Sequence, residues 1–133
     1  MAEGRDALAA VEPYSRLAAE VADAEVINSG STFSFTAVAT PELYRVPNLV
    51  LRLDVAITST PTDLVVFVQV RDVVGSGEWA TVSTINVGAA AFHKVVPLPI
   101  VGEPLEVRLS GTQSGVDGSK FYTVDAEFQG LIV

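Results

Sequence analysis

The stretch "LVLRLDVAITSTPTDLVVFVQVRD", Leu49 to Asp72, decides the fold class. Leu49, Leu51, Leu53, Val55 and Ile57 recur at every second position, with Arg52, Asp54 and Thr58 between them. After the break "STPTD", Leu64, Val66, Val68 and Val70 take up the same period, with Phe67 and Gln69 opposite. A period of two sends alternate side chains to opposite faces of an extended chain, so each run reads as a half-buried antiparallel strand. The Ser, Thr, Pro and Asp of the break supply turn chemistry.

The same pattern extends outward. Thr32 to Ala39 alternates Phe33, Phe35 and Ala37 against Ser34 and Thr36. Glu78 to Val87 is a weaker strand that contains Trp79, and Phe92 to Leu98 follows it. Leu105, Val107 and Leu109 alternate with Glu106 and Arg108. From Phe121 to Val133, Tyr122, Val124, Ala126 and Phe128 form one face, and Thr123, Asp125, Glu127 and Gln129 the other. The breaks "GSGE", "PLPIVGEP" and "SGVDGS" are turn-rich, and Asp117-Gly118 predicts a tight hairpin with positive φ. Seven to eight such strands predict an all-β, antiparallel β-sandwich, jelly-roll or immunoglobulin-like; the pattern does not choose between them.

Residues 1–25 read differently from the β-domain predicted over 26–133. They are rich in Ala and acids, and "YSRLAAEVADAE" holds good helix formers, with Ser15 placed to cap Arg16 to Ala22. Pro13 rules out one long helix, so this segment is expected to be a short helix or an extended arm. It carries six acids against Arg5 and Arg16, half of the net charge of −8. Solvation accounts for such a segment, and docking on a basic partner is the alternative.

At 133 residues the chain suits one domain with a full core. It is 49% hydrophobic and only 18% charged, against the usual quarter, which favours extensive burial or apolar surface covered by another chain. With 8 Lys and Arg against 16 Asp and Glu and no basic cluster, nucleic acid and anionic membranes are not expected partners. Cys is absent, which removes disulfides and thiolate chemistry. Met1 to Tyr14 lacks the apolar core of a secretory signal, and no run has the ~20 apolar residues of a membrane helix.

The inventory for chemistry is thin. His93, in "AAFHKVV", is the only histidine and reads as a sheet or interface residue. No serine has a nucleophile-elbow setting for a triad. One histidine without cysteine makes no usual zinc site, and "QSGVDGS" does not resemble a calcium loop. Asp125 and Glu127 share a strand face about 7 Å apart, the spacing of alternate strand residues. With Arg52, Arg71 and Arg108 on strand surfaces, cross-strand ion pairs are the expected use of these acids. No catalytic, cofactor or metal residue is therefore assigned, and no enzyme activity is expected. Trp79, after the glycine loop "GSGEWAT", is expected to anchor the core, with a sugar-stacking platform as the alternative. Tyr14 and Arg16 in the lead segment, and Tyr44 and Arg45 in the connection "ATPELYRVPN", join Trp79 as candidate interaction residues.

The order of these patterns resembles small β-sandwich structural proteins of tailed bacteriophages. It runs through Leu49–Thr58, Leu64–Arg71, Trp79, Leu98-Pro99, Arg108, Ser110-Gly111-Thr112 and Phe121–Phe128, about two thirds of the chain. The resemblance implies a virion component made in the host bacterial cytoplasm: a decoration protein on the capsid surface, or a neck, tail or fibre subunit. It implies the major capsid protein or other virion subunits as partners, a homo-oligomer with a trimer favoured, and no cofactor. A different class, a carbohydrate-binding module, would use Trp79, Tyr44 and Tyr122 for stacking.

Overall fold

The computed structural model describes residues 15–39, 49–72, 78–98 and 105–132. Among them are nine strand segments: β1 (Ser15–Ile27), β2 (Thr32–Ser34), β3 (Val38–Ala39), β4 (Val50–Thr58), β5 (Asp63–Asp72), β6 (Ala80–Asn86), β7 (Phe92–Pro97), β8 (Leu105–Ser114) and β9 (Phe121–Ile132). β2 and β3 both pair with β8, and Phe35 N donates to Leu109 O at 2.9 Å between them. They are two parts of one interrupted edge strand, so the described residues form eight strands, within the seven to eight that the sequence predicts.

Sheet A runs β1-β9-β4-β7, and sheet B runs β2/β3-β8-β5-β6. The described ladders are all antiparallel, and their pairing is nested: first strand with last (β1·β9), second with second last (β2/β3·β8), β4 with β7, and β5 with β6. A long hairpin wrapped over itself gives this order, and the added pairs β4·β9 and β5·β8 complete the two sheets. This is the jelly roll rather than the immunoglobulin arrangement.

The inner faces follow the alternation. Leu51, Leu53 and Val55 of β4 and Tyr122, Val124, Ala126 and Phe128 of β9 are buried against Leu64, Val66 and Val68 of β5 and Val107 and Leu109 of β8. Full burial of each Leu, Val or Phe among them stabilises by about 1.5–3 kcal/mol. Gly111 of β8 also faces inward, opposite Phe33 and Val66. A Cβ there would lie 2.0 Å from the Val65 carbonyl oxygen and 2.8 Å from the Phe33 ring, so only glycine fits this close approach.

Two expectations need correction. The helix over Arg16 to Ala22 does not form: the extended alternative holds, as strand β1 along the edge of β9. β1 runs from Ser15 to Ile27, across residue 25. Helix propensity differs by only tenths of a kcal/mol among these residues, too little to outweigh the pairing and burial that β9 offers to Val21, Ala22 and Ile27. Two register irregularities, between Glu20 and Ala22 and between Ala22 and Glu25, hide the period of two in this segment. Ala24 sits there at φ 49, and Asp125 accepts its N–H at 2.9 Å.

The Asp117-Gly118 hairpin is the second. β8 belongs to sheet B and β9 to sheet A, so this loop crosses between sheets. Positive φ falls on Gly115 (φ 73), and Asp117 organises the turn by accepting from Ser119 N at 2.7 Å, Ser119 Oγ at 2.9 Å and Lys120 N at 2.9 Å.

Candidate functional site

The outer face of sheet B gathers the most concentrated polar chemistry among the described residues. With Leu64, Val66 and Val68 turned inward, β5 presents Phe67, Gln69 and Arg71 outward. β8 adds Glu106, Arg108, Ser110 and Thr112 on the same face.

β6 reaches this face through a one-residue irregularity. Val68 pairs with Ser83, but Gln69 pairs with Thr81, which leaves Val82 as an extra residue. Unbroken alternation from the buried Ile85 would send Ser83, Thr81 and Trp79 inward. The bulge reverses that parity: Val82 packs against the core, and Thr81 turns out to Gln69. Trp79, just before β6, follows it outward. The indole is therefore half-buried on the outer face instead of anchoring the core. The Arg71 guanidinium carbon lies 4.4 Å from its ring centre and that of Arg108 lies 4.3 Å away. Such cation–π contacts contribute about 0.5–1 kcal/mol at exposed sites and more where desolvated.

Hydrogen bonds fix the cluster. Arg71 Nε donates to Glu106 Oε1 at 2.7 Å, a cross-strand ion pair between directly opposed residues. Arg108 Nε donates to Gln69 Oε1 at 2.9 Å, and Ser110 Oγ donates to the same oxygen at 2.7 Å. Gln69 Nε2 donates in turn to Thr81 Oγ1 at 3.2 Å. Beside Arg108 lies an open concavity of about 490 Å³, lined by Thr32, Ser34, Phe67, Ser110 and Thr112.

The outer face of sheet A is acidic. Asp54 stands opposite Asp125, and Glu20 opposite Glu127. Arg52, opposite Glu127, forms its ion pair along its own strand with Asp54. His93 Nδ1 lies 3.1 Å from Asp54 Oδ1, so the histidine does sit beside an acid pair. It does so on an exposed sheet surface, and no hydroxyl bonds its ring among the described hydrogen bonds. Asp125 is engaged with the Ala24 N–H, and Glu127 accepts from Gln129 Nε2. Among the described residues, no three His, Asp or Glu side chains gather as a metal site.

Of the interaction residues expected from sequence, Tyr14, Tyr44 and Arg45 lie outside the described residues. Arg16 lies in β1 opposite Leu131. Tyr122 is fully buried and donates its hydroxyl to Gly88 O at 2.6 Å, so it offers no stacking surface. Burial holds its phenol above the usual tyrosine range, with the charge of Asp63 adding to the effect. Arg71 and Arg108 were legible as surface arginines, but their convergence on Trp79 was not, because it depends on the Val82 bulge.

No known family model matches the chain, and no curated protein matches it. Solved structures similar to it include that of infectious bursal disease virus, Gx strain, at 12% identity and a TM-score of 0.45, covering 91% of this chain and 33% of that one. Another is a family two carbohydrate esterase from Cellvibrio japonicus, at 12% identity and a TM-score of 0.30, covering 90% of this chain and 35% of that one. The chain thus spans about a third of the length of these structures, and likenesses this distant carry no functional argument.

Proposed function

We propose that this chain is a non-enzymatic structural subunit of a tailed-phage virion that decorates and stabilises the capsid surface, with a neck, tail or fibre position as the alternative. The observation that carries the reading is the nested pairing of eight strands into a jelly roll, an architecture that recurs in viral coat domains. The resemblance of Leu49–Phe128 to small phage β-sandwich proteins points the same way. Because a fold hosts many functions, the reading also leans on the surface. β1 and β7 are the edge strands of sheet A, and each carries one exposed large apolar side chain, Val26 (50% exposed) and Val95 (58%). Unpaired strand edges of this kind are templates for a neighbouring chain. Homotrimers at capsid symmetry points would use them through many weak contacts.

Co-sedimentation with phage capsids, together with native mass measurement, tests the proposal. Saturable capsid binding by an oligomer is expected; a stable monomer that binds no capsid lattice overturns it. The contribution of the lead segment is tested by removing residues 1–14, since a cut at residue 25 would take most of β1 from the sheet. Weakened capsid binding by a folded variant is expected, and unchanged binding refutes a role for that segment.

A further inference from the structure

Arg108 is a half-buried cation with no carboxylate within ion-pair distance among the described residues. Its Nε is taken by the neutral Gln69 amide, and its guanidinium is held against Trp79. Glu106, on the same face of β8, is occupied by Arg71. The chain has 16 acidic side chains, yet among the described ion pairs none engages this guanidinium. A guanidinium oriented through Nε keeps its terminal N–H fork, which matches an oxyanion in bidentate fashion.

We infer that the outer face of sheet B binds an acidic saccharide, with Arg108 taking the carboxylate and the adjoining concavity taking the sugar ring. The concavity, at about 490 Å³, falls within the range of small-ligand sites. Its wall carries the hydroxyls of Thr32, Ser34, Ser110 and Thr112, and Phe67 offers an apolar ring surface. Hydroxyl donors and acceptors around one aromatic face suit a ring that bears hydroxyls on its edge and C–H groups on its face. A carboxylate on a peptide side chain would need Arg108 alone and would leave the rest of the wall unused. Trp79 acts here as a positioning residue that holds the Arg108 guanidinium. The inference is independent of the virion reading.

Trp79 is the only tryptophan, so its fluorescence reports from the site itself. The test titrates the full chain with trigalacturonate, with maltotriose, hexaglutamate and sodium acetate as separate comparisons at matched ionic strength. The expected result is a saturable change with trigalacturonate, at least ten times weaker binding by the other three, and at least a tenfold loss in Arg108→Gln. Arg108→Lys, which keeps the charge without the fork, is expected to lose several-fold. Circular dichroism checks that these variants fold. Amide shift mapping on the unaltered chain gives a readout free of that concern, with trigalacturonate moving Ser34, Ser110 and Thr112 and leaving Asp125 in place. No saturable response, equal binding of maltotriose, hexaglutamate or acetate, full binding by folded Arg108→Gln, or shifts centred on sheet A would each overturn the inference.

Discussion

Gln69 of β5 stands opposite Thr81 of β6, one residue nearer the start of the chain than an unbroken ladder from Val68 and Ser83 would place it. That offset carries Trp79 to the surface, where two guanidiniums lie within 4.4 Å of its ring centre. The expected energetic signature is coupling. Trp79→Ala should destabilise the fold by about 1–2 kcal/mol, and a double-mutant cycle with Arg108→Ala should return about 0.5–1 kcal/mol of interaction in urea unfolding. Strictly additive effects would show that the ring and the guanidinium do not support each other.

Gly111 and Gly118 should respond very differently to the same change. Gly111→Ala forces a methyl against the Val65 carbonyl and the Phe33 ring, and a loss of roughly 3 kcal/mol is expected. A Cβ on Gly118 meets nothing within 4 Å, so Gly118→Ala should stay within about 0.5 kcal/mol of the parent. Thermal unfolding of both variants is the measurement. Equal stability of the two would contradict the close approach of β5 and β2 to β8.

Tyr122 ties β9 to the turn at Gly88, and its ionisation is pushed upward by burial. The sign follows from linkage. The fold keeps the phenol neutral while the unfolded chain ionises near the ordinary tyrosine value of 10.0, so the contribution is complete below that pH and is lost as pH rises through the folded value. Ultraviolet titration should show one of the three tyrosines ionising late. Tyr122→Phe should cost about 1 kcal/mol at neutral pH and flatten the alkaline limb of stability.

Asp117 titrates in the other direction. The N–H groups of Ser119 and Lys120 and the Ser119 hydroxyl favour its ionised form and lower its pKa from the ordinary aspartate value of 3.8, with the Ser119 N–H the largest cause. Its contribution is present above that value and is lost as pH falls through the folded value. Carboxyl carbon shifts followed by NMR should place Asp117 below the ordinary aspartate range. Asp117→Asn keeps an acceptor for the turn but should remove this part of the acid dependence. An ordinary titration for Asp117 would mean that the loop hydrogen bonds do not persist in solution.

The amino-acid sequence by itself determined the strands of the core. Leu49 to Ile57, Leu64 to Val70 and Tyr122 to Phe128 declare which side chains turn inward, because the period of two is a local property of an extended chain. Local composition also placed the turns. The tertiary structure alone decided the rest. The segment Ser15–Ile27 carries helix formers and an interrupted alternation, and only the edge of β9 makes it a strand. Asp117-Gly118 marks a turn, but nothing in the dipeptide says that β8 and β9 belong to different sheets. Jelly roll and immunoglobulin orders differ in which distant strands pair, a choice made by long-range packing. Trp79 faces outward because Val82 is surplus to the β5·β6 ladder. One extra residue reverses the face of every side chain beyond it, and that count exists only between two paired strands.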